Sequence, residues 1–155
     1  MPSDTPRFLT STFVHLFDEM ADRPERKWLL QDIGYSQYIR EFNTMMLHLP
    51  RQVGKTTALV HILKKRGEPA MLISPNHRIL SCTAMNFGID RQSIWTADNF
   101  KFMRGKTIHQ RYFLFDEWQH IPKSKMDDIY MMIAACRASH SASSPLPIFF
   151  GLGTR

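Results

Sequence analysis

The chain holds two cysteines among 155 residues, too few for a disulfide framework. Cys82 and Cys136 have neither metal-site nor redox-motif spacing, so both read as free thiols of a reducing compartment. No apolar run approaches the roughly 20 residues a membrane-spanning helix needs. Residues 1–12 lack the basic start, apolar centre and small-residue cleavage site of a secretory signal. No internal repeat or low-complexity tract is present. These absences exclude disulfide-stapled and membrane-spanning architectures and lead to the expectation of a soluble, cytoplasmic protein with no membrane partner. What is present suffices for a core: 43% of the residues are hydrophobic, and the length suits one domain.

Charge is unevenly spread under a net of +6. Residues 1–50 hold five Lys/Arg against seven Asp/Glu, residues 51–115 eleven against three, and residues 116–155 four against four. The middle third is therefore strongly basic. Such a surface suits a polyanion such as DNA. Equally, Arg51 and Lys55 serve one nucleotide while the remaining cations are solvated helix faces.

Apolar periodicity alternates between the two regular structures. Phe13, Leu16, Phe17 and Met20 form a helical stripe within residues 11–21. Pro24 is placed to open a further helix, and Ser36 to cap a short one running to Phe42. Strands are expected at residues 45–49, 70–74, 93–96, 112–115 and 148–150. Helices are expected after the first strand, ending at Lys64-Lys65-Arg66-Gly67, and over residues 79–87 and 126–133. Trp28, Trp95 and the methionines are assigned to the core. Alternation of this kind implies a three-layer α/β core, a mostly parallel central sheet with helices on both faces. Ligands of such a sheet lie beyond the C-terminal strand ends.

One stretch there carries chemistry. Leu49-Pro50-Arg51-Gln52-Val53-Gly54-Lys55-Thr56-Thr57 stands between a strand and a helix, the context a phosphate-binding loop requires. Helix-start N–H groups and the helix dipole attract an anion, and Gly54 keeps a Cβ out of its way. Lys55 reaches outer phosphates as a point charge, and the Thr56 hydroxyl suits Mg²⁺. The first glycine of the usual G-x-x-x-x-G-K-[ST] pattern is replaced by Leu49. A second motif, Asp116-Glu117, follows the apolar run Tyr112-Phe113-Leu114-Phe115. Asp116 is placed to hold Mg²⁺ opposite Thr56, and Glu117 to orient and deprotonate an attacking water.

Arg51-Gln52-Val53-Gly54-Lys55-Thr56-Thr57 resembles the deviant phosphate loop of phage and herpesvirus terminase large subunits, the ATPases that pump DNA into capsids. Phe113-Leu114-Phe115-Asp116-Glu117 is similar to their second acidic motif, and residues 148–154 to their coupling motif. The resemblance covers about residues 28–155. It implies a P-loop NTPase core of the additional-strand, catalytic-glutamate class at residues 35–155, behind a helical segment at 1–34. It further implies ATP and Mg²⁺ as cofactors and duplex DNA, with homo-oligomer or packaging proteins, as partners. Gln37 stands where that family has an adenine-reading glutamine. Nucleotide binding falls to Gln37, Arg51, Gln52, Val53, Gly54, Lys55, Thr56 and Thr57. Catalysis falls to Glu117, Lys55 and Arg51, metal binding to Thr56 and Asp116, and coupling to Gly153 and Thr154. Arg155 is a second candidate for the arginine that answers phosphoryl charge. Asp116-Glu117-Trp118-Gln119 also resembles a helicase motif, so a helicase-like ATPase stands as the alternative, beside a non-hydrolysing ATP-binding module.

Overall fold

The computed structural model describes residues 5–51, 53–103, 105, 108–137 and 145–155. Gln52, the basic residues Arg104 and Lys106, most of the small-residue loop before Pro147 and the Cys136 side chain lie outside the described residues. Five strands form one sheet: β1 (Thr44–Leu49), β2 (Ala70–Ser74), β3 (Ile94–Thr96), β4 (Tyr112–Asp116) and β5 (Ile148–Thr154). Six helices accompany them: α1 (Thr5–Ala21), α2 (Leu30–Ile33), α3 (Tyr35–Phe42), α4 (Lys55–Arg66), α5 (His77–Phe87) and α6 (Lys123–Arg137).

The strand order is β1-β5-β4-β2-β3, and every pairing in the sheet is parallel. The sheet is thus wholly rather than mostly parallel. Chain-last β5 is inserted between β1 and β4, which brings the ends of the phosphate-loop strand and the Asp116 strand to either side of one intervening strand. Parallel strands need crossovers, and the helices supply them on both faces. Alternation along β2, β4 and β5 sends Leu72, Leu114 and Phe150 to the face covered by α1, α4 and α5. Ile73, Phe113, Phe115 and Phe149 face the opposite layer, built from α3, α6 and the turn around Phe100. Two separate cores result, and β2 and β4 are buried at every residue. Their sequences accordingly read as unbroken apolar runs.

Several local expectations change. Ser36 does not cap α3: the helix starts one residue earlier, behind Gly34 in a left-handed conformation (φ 80°). Pro24 opens no helix, and the next helical turn begins at Lys27. Trp28 on that turn is 69% exposed, and Met85 and Met131 are also exposed, so these are not core residues. β5 runs on through Gly151-Leu152-Gly153-Thr154, where a strand ending at Phe150 was expected. α5 begins at His77 because Asn76 caps it, its side chain accepting from the Ile79 N–H at 3.0 Å.

The first helix belongs to the same core as the sheet. Phe17 is fully buried and meets Tyr112 and Phe150 edge-on, with ring centroids 5.6 and 5.4 Å away. Arg66, at the end of α4, locks α1 in place. Its guanidinium donates to Asp18 at 2.7 Å and Asp22 at 3.2 Å while lying over the Phe17 and Tyr112 rings. Burial opposes ionisation of Asp18, but the bonds and charges of Lys65 and Arg66 outweigh it and hold the carboxyl below its ordinary 3.8. Stability from this pair is therefore fully present above about pH 4 and is lost as acid titrates Asp18 through its lowered pKa. Replacing Arg66 by Met removes charge-assisted bonds worth about 1.5–3 kcal/mol. Thermal unfolding at pH 7 will show the loss, and the variant will lack the part of the acid-induced decline that this pair causes.

Candidate active site

The loop between β1 and α4 is shaped by Gly54, which adopts φ 81°, ψ 27° and serves as the helix N-cap residue. A side chain there would meet left-handed strain, which glycine escapes. No side chain caps α4, so the first-turn N–H groups are left for a ligand. Val53 packs into the core beside α4, and Thr57 stands exposed on the first turn. Lys55 is 6% exposed, and its ammonium donates to the Pro50 carbonyl at 2.9 Å, within its own loop. It also lies 3.9 Å from Glu117 Oε1.

Asp116 ends β4 at 1% exposure. Thr56 Oγ1 lies 3.2 Å from both of its carboxylate oxygens, joining the start of α4 to the end of β4. Burial, then the negative charge of Glu117, raises the Asp116 pKa to about 6, against the pull of Thr56 and Lys55. Glu117 has φ 46° and ψ 46°, the one non-glycine residue with positive φ among the described residues. That conformation costs roughly 1–2 kcal/mol and persists only where neighbours impose it. The Glu117 N–H donates to the Leu152 carbonyl at 3.0 Å, and its own carbonyl accepts from the His120 N–H at 3.0 Å. The carboxylate accepts from Thr154 Oγ1 at 3.0 and 2.9 Å and from the Gln119 amide. Glu117 is thereby turned off the strand axis toward Lys55.

The two glycines of β5 explain that turn. A Cβ on Gly153 would lie 2.4 Å from Gln119 Oε1 and 2.9 Å from the Trp118 indole nitrogen. On Gly151 it would lie 2.3 Å from the Met46 sulfur and 3.0 Å from Trp118. The bare backbone lets the turn at Trp118-Gln119-His120 settle on the sheet, where the Trp118 indole Nε1–H donates to the Leu47 carbonyl at 3.0 Å. Trp118 thus packs the strand end. Gln119, named in the helicase-like stretch but given no role there, donates to the Glu117 carboxylate beside Thr154. Its signal was the unusual small-residue pair two positions apart in a buried strand.

Arg51, Lys55, Glu117, Gln119, His120, Thr154 and Arg155 line one cleft of about 490 Å³ at the C-terminal strand ends. Lys55, Thr56, Asp116, Glu117 and Thr154 are joined by the contacts above, and Gly153 forms the floor beneath Gln119. Gln37 is not among the cleft-lining residues: it is exposed on α3 and donates to Glu41 at 2.9 Å. No cluster of three or more His, Cys, Asp or Glu side chains suited to a metal occurs among the described residues. Among the same residues no helix is long and apolar enough to cross a membrane.

No family model matches this sequence, and no curated protein matches it. The fold is similar to that in the crystal structure of the UvsW helicase from bacteriophage T4. The TM-score is 0.51 and the identity 15%, covering 88% of this chain and 58% of that one. The chain therefore spans little more than half the length of that protein. The likeness is one of fold: a three-layer α/β core around a parallel central sheet, as the alternation of strands and helices implied.

The contact between Gly153 and Gln119 gives a direct test. Gly153→Ala will destabilise the protein by about 1–3 kcal/mol through overpacking. Adding Gln119→Ala will relieve part of that cost, so the double variant will lose less than the two single losses added together. Urea unfolding of the four proteins measures it.

Proposed function

We propose that this chain is a Mg²⁺-dependent ATPase domain that drives a DNA-acting motor, of the kind found in terminase large subunits. The observation that carries the reading is that Lys55, Glu117 and Thr154 line one cleft, with Thr154 bonded to Glu117, while the adjacent Thr56 and Asp116 are joined to each other at 3.2 Å. A coincidental Gly-Lys-Thr turn has no reason to face a buried aspartate and its neighbouring glutamate contributed from sixty residues away.

The residues present fit the expected metal. One hydroxyl and one carboxylate is the sparse protein set that Mg²⁺ accepts while keeping most of its waters. Thr56 and Asp116 would hold it, and the raised pKa of Asp116 marks a carboxylate that neighbouring cations have not fully compensated. Bound there with ATP, the ion supplies neutralisation of charge on the outer phosphates. The N–H groups at the start of α4 cradle those phosphates, and Lys55 exchanges the Pro50 carbonyl for a phosphate oxygen. Glu117 accepts the proton of the attacking water, one of its oxygens being freed from Thr154 or Gln119 to do so. Charge gathering on the γ-phosphate oxygens calls for an arginine, whose contribution in such reactions is about 10³–10⁵ in rate. Arg51 is the first candidate and Arg155 the second, and both border the cleft.

A helicase-like motor is the second reading, favoured by the likeness in fold to a phage helicase. The two separate by the nucleic acid that stimulates turnover: duplex DNA for the translocating packaging motor, single-stranded or branched DNA for the helicase. In either case phosphate release by the isolated chain will be slow. It will rise with the matching DNA or with partner subunits, and the stimulation will weaken with salt. Fast turnover that ignores both DNA and salt overturns the motor reading.

Substitutions divide binding from chemistry. Lys55→Ala will lose most Mg-ATP affinity in a fluorescent-nucleotide titration. Glu117→Gln will keep that affinity and lose at least about 10²-fold in turnover, the range of a general base. Retained hydrolysis by Glu117→Gln places the base elsewhere. Equal, negligible hydrolysis by wild type and variant, with DNA and partners present, favours a module that binds ATP without cleaving it.

A further inference from the structure

The C-terminal rim of the sheet carries a row of polar side chains on the α4/α5 face, ending strands that are otherwise apolar. Asp116 closes β4, Ser74 closes β2 and Thr96 closes β3. Ile73 of β2 pairs with Phe115 of β4, so one step further along the same parallel register Ser74 stands beside Asp116. Alternation along β2 puts the Ser74 side chain on the face of Leu72, and alternation along β4 puts Asp116 on the face of Leu114. Both leucines pack beneath α4. Thr96 pairs with Ser74 across the next gap, and its hydroxyl accepts from the Asn99 N–H at 3.0 Å. Asp116 has Thr56. Ser74 is 0% exposed, and its hydroxyl has no hydrogen-bond partner among the described residues. Its carbonyl is used, accepting from the Ala97 N–H at 2.9 Å, so only the side chain is orphaned.

An orphaned hydroxyl in a dry site is a cost that an alanine of nearly the same shape would avoid. Its neighbour is the carboxylate assigned above to Mg²⁺, an ion that retains most of its water when bound. We propose that Ser74 is a positioning residue of that metal site, its hydroxyl bonding a water carried by the cation beside Asp116. The inference rests on the proposed function and deepens it. It accounts for a polar group that neither the sheet nor the helices employ, and it assigns no contact between Ser74 and nucleotide. Groups that orient metal-bound partners in this way change metal affinity by about 10–100-fold when removed.

The test uses the whole chain, Mn²⁺ as the probe ion and a non-hydrolysable imido analogue of ATP. Electron paramagnetic resonance measures free Mn²⁺ during titration of wild type and Ser74→Ala, with no turnover involved. Ser74→Ala will bind Mn²⁺ with the analogue about ten-fold more weakly. In the absence of metal and nucleotide the same variant will melt at the wild-type temperature or higher, by up to about 4 °C, because it sheds an unsatisfied buried hydroxyl. Ser74→Cys, close in shape but a poor partner for water, will share the weakened Mn²⁺ binding and guards against an effect of lost volume. Unchanged Mn²⁺ affinity in both variants overturns the inference alone. A lower melting temperature for metal-free Ser74→Ala also overturns it, since the hydroxyl then has a structural partner. Wild-type protein that binds no Mn²⁺ with the analogue overturns the proposed function, and this inference with it.

Discussion

Asp116 sits at the end of the most enclosed part of the sheet, with almost no solvent to stabilise its charge. A carboxylate in that position must find donors or stay protonated. Thr56 supplies one donor from the first turn of α4, and Lys55 supplies nearby positive charge. This single requirement ties together pieces far apart in sequence. It holds the start of α4 against the end of β4, across the width of the inserted strand. The adjacent Glu117 cannot share the same pocket without repulsion, and the chain resolves the conflict with a left-handed turn that carries it toward Thr154 and Gln119. The glycines of β5 exist in that context: without their bare backbone the turn has nowhere to lie.

The parts of this arrangement that were legible in the sequence are those governed by local pattern. β2 and β4 announce themselves because a strand buried on both faces must be apolar throughout, and Tyr112-Phe113-Leu114-Phe115 is so. The Gly-Lys-Thr turn and the acidic pair stood out because the chemistry proposed for them asks for these residue types at a strand end and a helix start. What local pattern misses is decided by distant neighbours. Gly151 and Gly153 read as the end of a strand, yet β5 runs through them because Trp118, Met46 and Gln119 fill the space above. Gln119 stood in the helicase-like stretch with no role of its own, and only the fold shows its amide on Glu117 and its side chain over Gly153. Trp28 read as core by composition and is exposed, because the short turn that carries it has no layer above it. Gln37 was placed by analogy of position alone, and its amide is engaged by Glu41 one turn along α3.

The charge asymmetry also changes meaning once the chain is folded. Three cations of the basic middle third are partners of acidic residues in the first third. Lys65 and Arg66 meet Asp18 and Asp22, and Arg111 meets Glu25, whose carboxylate also accepts from the Leu146 N–H at 2.7 Å. These contacts lie at the far end of α4 from the cleft. They fasten α1 and the segment after it to the sheet, so a good part of the basic surplus counted along the sequence is internal structure. The reading of the whole middle third as a polyanion surface therefore overstates the basic surface, and the reading of it as wholly solvated helix faces misses the pairing.

Basic side chains at the cleft end are differently placed. Arg51, Arg78 and Arg155 stand exposed there, with His77 and His120 beside them, near the ends of β1, β2, β4 and β5. Thr154 and Arg155 are consecutive residues, so the side chain that bonds Glu117 and the side chain that borders the open cleft move as one piece of backbone. The Arg155 N–H in turn donates to the Leu49 carbonyl, the last residue of β1 before the phosphate loop. Glu117 and the end of β1 are thus tied to one strand end, and on the proposed function that strand end joins the carboxylate facing the water to the start of the loop that would hold the phosphates.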